Sequence, residues 1–91
     1  MKYVFTKPYL FEEKEYKEID LDLESMKGAD FAAAKKRFTS GGNFAAMPAA
    51  DSEFCAMIGA QVAKLPIEFF TGLPAKEYVK LTQEISNFLL V

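Results

Sequence analysis

Near the N-terminus every second residue tends to be apolar, and this alternation leaves few folds open. Tyr3, Phe5, Tyr9 and Phe11, then Ile19, Leu21 and Leu23, all fall on odd positions, with Lys7 and Lys17 as exceptions. A repeat of two belongs to a strand with one buried face. The polar break Glu12-Glu13-Lys14 divides the run into strands near residues 3–11 and 15–21. A tight two-residue turn favours Asn-Gly or Asp-Gly because it needs positive φ, and no glycine stands here, so a longer loop is expected. Pro8 has no amide hydrogen, which assigns the first strand to a sheet edge. A hairpin alone is marginal in water, so its apolar face needs the rest of the chain to lie on.

The remainder of the chain reads as helix. Residues 28–40 are rich in alanine, with Phe31 and Phe38 seven apart on one face, Asp30 in the first turn, Lys35-Lys36-Arg37 in the last, and Gly41-Gly42 as the stop. Asp51 or Ser52 can cap a second helix running to about Lys64, apolar on nearly every side. That composition suits a central helix, or one with part of its face against another chain. Pro66 opens a short piece to Thr71, Gly72-Leu73 breaks it, and Pro74 opens a long amphipathic helix to about Leu89 with Tyr78, Leu81, Ile85 and Phe88 in phase. The expected class is α+β: an N-terminal β-hairpin, residues 1–23, packed on a bundle of three or four α-helices, residues 27–91, in a single domain spanning 1–91. Nine Phe and four Tyr without Trp make its core a Phe core.

The chemistry is bounded by absences. There is no histidine, which removes the commonest metal ligand and neutral-pH acid-base group. One cysteine, Cys55, cannot close an intramolecular disulfide or a thiolate zinc site, and within an apolar helix it reads as a small buried hydrophobe. No catalytic, cofactor-binding or metal-binding residues are expected. No signal-like run opens the chain and no apolar stretch approaches the roughly 20 residues of a bilayer span, so neither cleaved export nor membrane insertion is expected. The acids are concentrated, with seven acids and two lysines between residues 12 and 24, where an exposed hairpin turns them to water. A net charge of −2 argues against nucleic acid as a partner. The rival reading is a small nucleic-acid-binding regulator using the basic turn Lys35–Arg37. However, glycines after a helix C-terminus are placed backwards for cradling phosphate.

The densest local signature is Leu65-Pro66-Ile67-Glu68-Phe69-Phe70-Thr71-Gly72-Leu73-Pro74. Neighbouring residues on a helix point about 100° apart, so Phe69 and Phe70 enter one core only if the corner is wrapped on two sides. Otherwise one ring is left for a partner. The residues expected at a partner or self-association surface are Leu65, Phe69, Phe70, Leu73, Tyr78, Leu81, Ile85, Phe88 and Leu89, with the apolar end Phe88-Leu89-Leu90-Val91 able to dock on its own domain or on another chain.

Across nearly the whole length, the pattern Phe11-Glu-Glu-Lys-Glu-Tyr16-Lys-Glu-Ile19-Asp20-Leu21, then Lys27-Gly28-Ala29-Asp30, then Leu65-Pro66-Ile67-Glu68-Phe69-Phe70 with Gly72-Leu73-Pro74, then Asn87-Phe88-Leu89 resembles the small tail assembly chaperones of Mu-like contractile-tailed phages and prophages. The resemblance implies a non-enzymatic protein of the bacterial host cytoplasm that binds the tape measure protein and keeps it soluble. It also implies help in recruiting tail tube protein and absence from the mature virion, and genes of this class are often also read through a programmed frameshift to a longer product. An apolar, amphipathic helix surface suits a helical client, and weak self-association would let several copies coat it. The resemblance carries over no catalytic residues.

Overall fold

The structure, a computed structural model, describes residues 1–44 and 46–90. Strands β1 (Lys2–Phe11) and β2 (Lys14–Asp20) form an antiparallel hairpin. Helices α1 (Gly28–Ser40), α2 (Ser52–Ala63), α3 (Ile67–Thr71) and α4 (Ala75–Leu90) come next, with 3-10 turns at Leu23–Ser25 and Pro48–Ala50. This is the expected α+β arrangement of a hairpin followed by four helices.

The hairpin departs from expectation at its turn. Phe11 pairs directly with Lys14, so the connection is a tight two-residue turn with φ of 49° at Glu12 and 65° at Glu13. Two left-handed residues give the turn a twist that matches the flanking strands, and the ladder compensates for placing two glutamates in a conformation that disfavours a Cβ. Replacing them as Glu12→Asn with Glu13→Gly is expected to raise unfolding stability by about 1 kcal/mol in urea titration, because the strain is removed without touching the core.

A second irregularity lies lower in the ladder. Tyr3 pairs with Ile19 and Val4 with Glu18, yet Tyr9 pairs with Tyr16, so four residues of β1, Phe5 to Pro8, stand opposite Lys17 alone. This bulge explains why Lys17 breaks the alternation: the inward phase of β2 changes from Tyr16 to Ile19 across it. It also frees the Thr6 amide, which donates to Glu77 Oε1 at 3.0 Å.

The central helix is α2, started by Asp51, whose side chain accepts the Phe54 amide at 3.0 Å. Phe54, Cys55, Ala56, Ile58, Gly59 and Ala60 are all buried, so the apolar girth of this helix serves the chain's own core. Phe31 and Phe38 of α1 meet Phe54 edge to face at 5.2 and 5.4 Å. On the other side α4 crosses close to α2 at Gly59, where an added Cβ would lie 3.0 Å from the Phe70 ring and 3.1 Å from Ile85.

The α3 corner is wrapped on both sides. Phe69 enters the hairpin, with ring centroids at 6.2 Å from Phe5, 5.1 Å from Tyr9, 5.2 Å from Phe11 and 4.9 Å from Tyr16. Phe70 turns the other way, against Gly59 of α2. The roughly 100° between successive helical residues thus joins the hairpin to the helices through one dipeptide. Tyr9 adds a polar bolt, its hydroxyl donating to the Phe69 carbonyl at 2.9 Å. Gly72 makes room for it, since a Cβ there would stand 2.7 Å from that hydroxyl.

Candidate partner-binding surface

Once the core has closed, apolar area remains outside it. Val4 and Leu10 project from the outer face of the hairpin, Phe44 and Met47 are exposed in the connection between α1 and α2, and Ile67 is exposed at the start of α3. On α4, Val79 is 61%, Phe88 38% and Leu90 49% exposed. The core stripe of α4 centres on Leu81 and Ile85. Val79 lies off that stripe, on the outward side with Lys76, Lys80 and Gln83.

These outward α4 residues form one wall of a groove of about 1260 Å³ whose other wall is the β1 bulge. Pro8, Tyr9, Leu73, Pro74, Ala75 and Val79 supply its apolar lining, and Lys7, Lys76 and Lys80 stand along it. Among the described residues none of these three lysines has a carboxylate within 4.0 Å.

One side chain holds the two walls together. Glu77, in the first turn of α4, accepts the Tyr3 hydroxyl at 3.0 Å and the Thr6 amide at 3.0 Å. Burial acts to raise its pKa, but the hydrogen bonds from Thr6 and Tyr3 and the charge of Lys80 outweigh it and hold the carboxyl below its usual value. The same contact, together with burial, which acts most, raises the Tyr3 phenol well above its usual range.

Cys55 is buried, its thiol donating to the Ala49 carbonyl at 3.4 Å and pushed up to about 11 by burial and by the Asp51 carboxylate, so no thiolate nucleophile forms near neutral pH. Among the described residues no three His, Cys, Asp or Glu side chains converge to hold a metal ion. In the basic turn Lys35 and Lys36 are exposed, while Arg37 donates to the Gln61 side chain of α2.

A scan against family models matches residues 2–90 to the family described as phage tail assembly chaperone proteins, E, or 41 or 14. The chain belongs to this family. No curated protein and no solved structure matches it. The chaperone family points to assembly work on tail proteins rather than to catalysis. Among the described residues no helix is long and apolar enough to cross a membrane.

Of the nine residues expected to meet a partner, the chaperone buries Phe69, Phe70, Leu73, Leu81 and Ile85 in its own core. Leu73 also lines the groove, and the other four shape the surface from beneath. Leu65, Tyr78 and Leu89 are half-buried at the core's margin, and Phe88 is exposed. Val91 lies outside the described residues. Sequence reasoning misses Val79, Pro8 and the three groove lysines. The available signal is Val79 itself, an apolar residue out of phase with the stripe of its own helix. Thr82 and Ser86, also buried, widen the inner face of α4 beyond that stripe, and Thr82 satisfies its hydroxyl on the Tyr78 carbonyl at 2.8 Å.

Proposed function

We propose that this chaperone binds the tape measure protein of its phage in the host cytoplasm, keeps it soluble until tail tube subunits assemble along it, and is left out of the finished virion. It acts by binding alone. The supporting observation is the apolar area that the closed core leaves uncovered on α4 and beside it: Val79, Phe88 and Leu90, with the margins of Leu65, Tyr78 and Leu89. In an assembly chaperone such area has a use, since an amphipathic client segment can cover it without chemical change. Several copies along one client, touching through the same kind of surface, would shield its whole length.

The test is co-expression with the tape measure protein encoded in the same tail gene cluster. The expected result is a soluble tape measure protein that co-purifies with the tagged chaperone. A tape measure protein that stays insoluble and is not retained, with the short chain or with any extended product of the gene, overturns the reading. The rival regulator would show salt-dependent binding to duplex DNA, which this reading does not expect.

A further inference from the structure

We propose that the groove between β1 and α4 is a docking site for an acidic amphipathic helix; as a statement about the client, this rests on the chaperone reading above. The lining is apolar at Pro8, Pro74 and Val79 and cationic at Lys7, Lys76 and Lys80. The groove's own carboxylates, Glu77 and Glu84, offset part of that field and leave three lysines against two acids along the lining. Glu77 is turned inward onto Tyr3 and Thr6, and Glu84 stands past Lys80 toward the C-terminal half of α4. The chain is acidic overall, yet its acids gather between residues 12 and 24, on the hairpin and the turn after it. A partner that fills this groove therefore gains most if carboxylates flank its apolar stripe, because complementary charge at the rim speeds encounter and rejects basic competitors.

The backbone decides between helix and strand. A strand added beside β1 would need free amides along that edge, but the Thr6 amide is already taken by Glu77 and Pro8 has none. A helix, whose backbone bonds are internal, asks only for side-chain contact. From Lys76 to Glu84 the α4 wall runs about 12 Å, room for roughly two turns of a partner helix. The most acidic segment of a second copy, residues 12–24, is a strand, its turn and a short 3-10 turn, so it answers this description poorly.

The probes are two synthetic peptides of about 14 residues sharing one leucine stripe, flanked by glutamates in one and lysines in the other, titrated into the isotope-labelled full chain. The Glu-flanked peptide is expected to move amide resonances of residues 6–9 and 74–84, to bind about tenfold or more tightly than its Lys-flanked twin at low salt, and to lose that advantage as salt rises. The double variant Lys76→Glu/Lys80→Glu alters only exposed side chains and should reverse the preference with its circular dichroism unchanged. Equal affinities, shifts confined to the hairpin's outer face or to residues 88–90, or peptide-free concentration-dependent shifts in the groove, which would indicate a second copy, each overturn the proposal. Co-purification separates the two readings. Tape measure protein bound equally by wild type and Lys76→Glu/Lys80→Glu removes the groove as the client's seat. If the wild type fails to bind it while the Glu-flanked peptide docks, the client reading fails and the groove's chemistry stands.

Discussion

Phe69→Ala is expected to lower the unfolding free energy by about 3–5 kcal/mol, a large part of what a domain of this size possesses. Phe69 is fully buried and is the one helical ring that four aromatic residues of the hairpin surround: Phe5, Tyr9, Phe11 and Tyr16. Removing it empties the joint between the two halves of the fold. The hairpin relaxes only partly into the space, because the Tyr9 hydroxyl fixes it on the Phe69 carbonyl at 2.9 Å. Phe69→Leu, which keeps much of the volume, should lose clearly less. Urea unfolding followed separately by tyrosine fluorescence and helical circular dichroism checks both the size and the place of the effect. A loss under about 1.5 kcal/mol, with the hairpin signals unchanged, would contradict this account of the joint.

Glu77→Leu carries the second large effect, about 2 kcal/mol at neutral pH, since it leaves the Tyr3 hydroxyl without its acceptor and the Thr6 amide to water. It also removes a carboxylate from the first turn of α4, where the helix dipole favours one. The milder Glu77→Gln isolates the charge. In the fold the Glu77 carboxyl titrates below its ordinary value of 4.5, so as pH falls the unfolded chain takes up the proton first. The wild-type advantage over Glu77→Gln is therefore complete above about pH 5 and disappears as pH drops through the lowered folded value. Thermal melts of both proteins between pH 3 and 7 should converge at the acid end. Parallel curves across that range would show that the carboxylate is not what ties β1 to α4.

The element boundaries are legible from the residues because the signals that set them are local. Gly41-Gly42 ends α1, Asp51 caps α2, the Pro66 and Pro74 starts bracket α3 and α4, and all act within a turn of where they stand. The hairpin turn escapes such a reading because the absence of glycine says nothing of the ladder, which forces Glu12 and Glu13 into left-handed backbone. The bulge escapes it for a related reason: Lys17 looks like an error in an alternation, when three extra residues on the opposite strand have changed the phase.

The sequence by itself determined which segments are strand and helix, that the core is built of phenylalanine rings, and, through the order of its motifs, the family. Only the tertiary structure decided which apolar side chains are spent inside and which are left to meet a partner. Phe69 and Val79 look alike as hydrophobes, and burial has no direction of its own; the hairpin, far away along the chain, covers Phe69 and leaves Val79 exposed. The contact between Tyr3 and Glu77 spans 74 residues. No period or cap reports that pairing, yet it ties together the two walls of the groove.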